Sequence, residues 1–95
     1  MGLFNAIKPV CIPLYATIPE GSFDIIGYVE GMYDYAPERN DKSKAVDKAK
    51  QELMKQAEDI GGDAVIHVKF QCFPGTTSST ILAYGDAIKI KKINA

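Results

Sequence analysis

From Val10 to Ile18, apolar side chains take every second position, at Val10, Ile12, Leu14, Ala16 and Ile18. That period belongs to a strand with one buried face. Pro13 lies inside the run and cannot donate a ladder hydrogen bond, which places the strand at an edge or beside a bulge. Pro19-Glu20-Gly21-Ser22 turns the chain into a second predicted strand, Phe23 to Met32. Here Phe23, Ile25 and Val29 share one face, and Ile26, Tyr28 and Met32 the other. Gly27 and Gly31 interrupt this strand, as glycines do at a bend, a bulge or a close backbone approach. Tyr33 to Asn40, with Pro37, reads as a polar loop.

The period then changes. Ala45, Ala49, Leu53, Ala57 and Ile60, with Val46 beside them, form one apolar stripe of helical spacing. Asp41 stands where a cap is wanted, and Gly61-Gly62 where a left-handed residue ends a helix. The span Lys42 to Ile60 would be about 28 Å long at helical rise. Three of the stripe residues are alanines, so the helix can lie close to what it covers.

Two more strands follow. In Asp63 to Cys72, the residues Ala64, Ile66, Val68, Phe70 and Cys72 share one face and Val65, His67, Lys69 and Gln71 the other. Pro74-Gly75 marks the turn after it. In Thr80 to Ile93, Leu82, Tyr84, Ile88 and Ile90 oppose Ile81, Ala83, Gly85 and Ala87, so neither face is polar before Lys89 and Lys91. The pattern predicts an α+β fold of order β-β-α-β-β, a small antiparallel sheet with one long amphipathic helix on one face. One helix covers one face only. The second face needs the N-terminal strand or a neighbouring subunit, and a homo-oligomer is the expectation.

Length fits this picture: 95 residues make one domain, 1–95, too small for a second core. Such a domain buries about 60–65% of its unfolded surface, so association would add useful stability. Eleven basic against twelve acidic residues give no footprint for nucleic acid. The uncharged stretch Pro9 to Pro19 holds three prolines and is too short for a membrane crossing. The opening residues lack signal-peptide character, and Ala6 stands where myristoylation wants Ser or Thr, so a cytoplasmic protein is expected. Two cysteines, Cys11 and Cys72, are too few for a disulfide scaffold and read as reduced thiols.

Two segments carry a family likeness. Ala57-Glu58-Asp59-Ile60-Gly61-Gly62-Asp63-Ala64-Val65-Ile66-His67-Val68-Lys69-Phe70, followed by Ala83-Tyr84-Gly85-Asp86-Ala87-Ile88, resembles the YbjQ-like family, labelled as heavy-metal-binding domains. Ala16-Thr17-Ile18-Pro19 with Ile26-Gly27-Tyr28-Val29-Glu30-Gly31 is similar to that family's first strands. The likeness covers most of residues 12 to 91. Asp86 stands where the family usually has Thr, Gly62 where it has Ala, and the Tyr33 to Asn40 loop is shorter than usual. The resemblance implies a dodecin-like β-α-β-β subunit and a ring-shaped homopentamer.

Candidate chemistry is sparse. Cys11, His67 and Cys72 are the soft or borderline ligands available, and a closed zinc or copper site wants three or four converging donors. His67 and Cys72, five apart on one strand, fall on opposite faces, so only ring symmetry could gather donors. The simpler readings are an exposed histidine beside Lys69 and a small core cysteine. No nucleophile and base can be placed together, and a possible acid and base pair among Asp24, Glu30, Asp63 and Asp86 competes with a plain turn role for Asp63, so no enzyme and no resident cofactor are expected. Thr76 to Ser79 lacks phosphate-loop spacing and reads as a solvated hairpin loop. Tyr15, Tyr28, Tyr33, Tyr35 and Tyr84 suit a recognition surface or, more plainly, subunit contacts. Lys42, Lys44 and Lys48 crowd the helix start while Glu58 and Asp59 close it, against the dipole by about 0.3–1 kcal/mol per charge, as on a solvated face or a patch for an acidic partner. The function expected is a non-catalytic homo-oligomeric binding or scaffold protein. The alternative is a heavy-metal carrier or sensor with Cys and His ligands.

Overall fold

The structure is a computed structural model that describes residues 11–36 and 42–91. The expected opening residues, Val10, Pro37, the Asp41 cap and the strand end at Ile93 lie outside the described residues. Three strands and one helix follow in the order β1 (Phe23–Tyr35), α1 (Lys42–Asp59), β2 (Ala64–Phe73) and β3 (Ser79–Ile90). The sheet order is β1-β3-β2, with both pairings antiparallel.

The first expected strand is not formed as one. Around Pro13 the chain makes a single parallel bridge, Leu14 to Val65, on the outer edge of β2. Val65 N donates to Pro13 O at 3.0 Å, Tyr15 N to Val65 O at 2.9 Å and Val68 N to Tyr15 O at 2.9 Å. Pro13 accepts there without needing an N–H, which is why an edge tolerates it. The described order is therefore β-α-β-β. The loop expected from Tyr33 is instead the end of β1, where Tyr33, Asp34 and Tyr35 pair with Ile81, Thr80 and Ser79. Aromatic residues favour strands, and Asp34 gains a hydrogen bond from the Thr80 hydroxyl.

Helix α1 buries Ala45, Ala49, Leu53 and Ala57 completely, as its stripe predicts. It stops at Asp59, so Ile60 leaves the stripe and is half exposed. Gly62 N bonds to Ala57 O at 2.8 Å and Gly61 N to Glu58 O at 2.9 Å. Gly61 has φ +86°, the left-handed close that glycine supplies without strain.

Two irregularities rearrange the faces. β1 slips between Ile25 and Gly27, and β2 slips between Ile66 and Lys69, while β3 runs unbroken between them. An extra residue in a strand reverses which side chains point where. Ala64 and Ile66 therefore join Ile88 and Phe23 on the face away from the helix, while Ile12 at the sheet edge packs against the clusters on both faces. Val65 and Val68 join Val29, Ile81, Ala83 and Ala87 beneath α1. The expected single face of Ala64, Ile66 and Val68 is corrected by the bulge, and so is that of Phe23, Ile25 and Val29. The alternation read for β3 holds.

Candidate functional site

The sheet face opposite α1 has only a partial cover within the described chain. Ile12 and Phe23 pack against Ala64, Ile66 and Ile88 at one end. Beyond them, Ile25, Tyr28, Met32, Phe73 and Ile90 lie 58, 59, 57, 46 and 46% exposed. Register places Tyr28, Glu30, Met32 and Asp34 of β1 opposite Asp86, Tyr84, Leu82 and Thr80 of β3 on this face. Large apolar side chains grouped this way mark an interaction surface.

Polar groups cross its middle. His67 Nδ1 and Asp86 Oδ2 are 3.1 Å apart, both partly exposed. Tyr28 donates its hydroxyl to Glu30 Oε2 at 3.0 Å, and its ring lies 6.4 Å from that of Tyr84 at 44°. Desolvation on the sheet, then the bond to Glu30 and the nearby negative charges, hold the Tyr28 phenol above its ordinary value. The β2 bulge places His67, whose φ of +55° is the left-handed region.

The three soft ligands do not meet. Cys72 is exposed, and its Sγ lies 3.7 Å from the Tyr35 hydroxyl on the helix side. That contact is the first cause raising the Tyr35 phenol, with desolvation second. The expectation of a core cysteine is corrected: β2 runs past the cover of α1, and Phe70 beside it is half exposed with Lys50 Nζ 5.8 Å from its ring centre. His67 faces Asp86 on the other side, and Cys11 is exposed at the start of the edge segment. Among the described residues no group of three or more His, Cys, Asp or Glu converges, so one chain does not fit a closed heavy-metal site.

The four carboxylates considered for acid and base work are engaged one by one. Asp24 pairs with Lys91 at 3.3 Å, Asp63 with Lys89 at 3.8 Å and with Ile90 N at 2.9 Å, Asp86 with His67, and Glu30 with Tyr28. In the hairpin loop, Gly75 N bonds to the buried Ser79 Oγ at 3.3 Å. The His67–Asp86 contact was missed from sequence, because cross-strand neighbours follow from a register that the bulges shift, whereas Tyr28 and Glu30 sit two apart on β1 and their contact follows from strand period alone. Among the described residues no helix is long and apolar enough to cross a membrane.

Known proteins resemble this chain along the same elements. A model of the YbjQ family, described as "Putative heavy-metal-binding", matches residues 24–91. A "UPF0145 protein" of Thermosipho africanus (strain TCF52B) is 42% identical over 53 residues, 55% of this chain and 49% of its own length. The chain thus spans about half the length of this curated relative. The fold is shared with a crystal structure of a protein of unknown function in the DUF74 family from Pediococcus pentosaceus ATCC 25745. That match has a TM-score of 0.78 at 21% identity over 84% of this chain and 98% of the other.

Proposed function

This chain belongs to the YbjQ family, a family of unknown function, and on that premise we propose that it is a non-catalytic homo-oligomeric binding or scaffold protein of the cytoplasm. The observation that carries the reading is the open sheet face, where Tyr28 and Met32 are 59 and 57% exposed beside Ile25. A second copy would remove that surface from water at about 25 cal/mol per Å² of apolar area. Symmetric closure satisfies such a face in every copy at once. A ring is the form proposed, and five subunits is the count suggested by the family likeness.

Light scattering coupled to size exclusion at micromolar concentration tests this, with a mass several times the 10.4 kDa chain expected. A Tyr28→Glu, Met32→Glu variant should fall toward the chain mass. A wild-type mass of one chain overturns the proposal.

A second reading, a heavy-metal carrier or sensor, is favoured by the family description and by His67, whose Nδ1 is held by Asp86 as second-sphere carboxylates hold metal-bound imidazoles. Its donors would have to come from several subunits. Stoichiometric metal in protein purified without a histidine tag, lost in a His67→Ala, Cys72→Ala variant, would establish this reading.

A further inference from the structure

The sheet ends in two unlike edges. The outer edge of β1 runs for 13 residues, Phe23–Tyr35, with neither lysine nor proline to guard it. Among the described residues one side-chain bond is made there, from Glu30 N to Gln56 Oε1 at 3.1 Å, and it fills one place without covering the edge. On the other side of the sheet, residues 13–15 bond to Val65 and Val68. Among the described residues, nothing continues that pairing along Lys69 to Phe73.

The two edges also differ in charge. β1 carries Asp24, Glu30 and Asp34 and no basic residue, whereas β2 carries Lys69 and no acidic one. Asp24 is paired with Lys91, but Glu30, Asp34 and Lys69 make no ion pair with a described residue. Register places all three on the open face, since Glu30 and Asp34 pair with Tyr84 and Thr80, and Lys69 with Tyr84.

We infer that copies of this chain join head to tail, the outer edge of β1 in one against Lys69 to Phe73 of β2 in the next, with Lys69 facing Glu30 or Asp34 across the junction. This rests on the homo-oligomer reading and specifies its contact. A two-fold β1-to-β1 junction would set acidic side chains against each other, which cross-strand pairs disfavour. The head-to-tail junction instead pairs opposite charges, continues the backbone ladder and joins the open faces of adjacent copies. Unlike edges meeting in this way close a ring when the rotation permits.

A charge exchange tests it, read as mass by light scattering with circular dichroism confirming the fold. Lys69→Glu alone, and Glu30→Lys with Asp34→Lys alone, should each weaken assembly on the order of tenfold or more. All three changes in one chain should restore it, since every junction then pairs opposite charges again. A wild-type mass of one chain would defeat the oligomer reading and this junction together. A wild-type oligomer whose mass is unmoved by Lys69→Glu, or a triple variant that fails to recover, overturns the junction alone. Tighter assembly of the Glu30→Lys, Asp34→Lys chain with no response to Lys69→Glu would assign the contact to a β1-to-β1 pair and likewise overturn it.

Discussion

Gly31 of β1 lies directly beneath the turn of α1 that runs from Ala49 to Leu53. A Cβ at Gly31 would collide with Leu53 N and stand 2.5 Å from Ala49 O and 2.8 Å from Glu52 Cβ. The helix backbone occupies the space that any side chain would need. Gly31→Ala is therefore expected to lower stability by about 1–3 kcal/mol through overpacking, measured by urea denaturation. An unchanged midpoint would show that helix and sheet separate more easily than their packing indicates.

Leu53 fills the core on the other side of that contact and is completely buried. Leu53→Ala is expected to cost about 2–5 kcal/mol, a large share of what a domain of this size possesses. A loss of a few tenths of a kcal/mol in the same melts would contradict the burial of the stripe.

His67 holds a left-handed backbone without being glycine, at φ +55°. Such a residue carries a conformational cost of about 1–2 kcal/mol that glycine avoids. His67→Gly and His67→Ala both lose the contact to Asp86, so their difference isolates the backbone. The glycine variant should be the more stable by about 1 kcal/mol. Equal stability, or alanine the better, would place His67 outside the left-handed region.

The Tyr28 phenol should ionise above the ordinary tyrosine value of about 10, because partial desolvation and the bond to Glu30 favour its neutral form. A folded-state value raised above the unfolded one means tighter proton binding in the fold. Its small contribution to stability is then complete below about pH 10 and lost as pH climbs through the folded-state value. The difference in tyrosinate absorbance between the wild type and Tyr28→Phe should show this late midpoint, and Glu30→Gln should move it down. No movement would remove Glu30 as a cause.

Much of this architecture is written in the chain. The stripe Ala45, Ala49, Leu53 and Ala57 and the two apolar faces of β3 depend on local period alone, and both stand in the structure. The bulges at Ile26 and at His67–Val68 have no comparable signature. Gly27 hints at the first, but the second leaves an ordinary alternation in the sequence, and each reverses side-chain parity downstream. Cys72 was misplaced for a longer-range reason: its exposure depends on where α1 ends above β2, and strand periodicity carries no information about that.

The clasp between Leu14 and Val65 bears on how the chain folds. All of β1 and α1 lies between its two halves, so residues 13–15 dock onto a surface that exists only once β2 has formed. Such distant closure is costly in chain entropy and held by few bonds, so it should open by itself long before the sheet does. The amides of Val65 and Val68, bonded to Pro13 and Tyr15, should exchange with deuterium faster than β2 amides bonded to β3. Equal rates would bind the N-terminal segment into the same cooperative unit as the sheet, whereas unequal ones make it a latch that lifts while the rest stays shut.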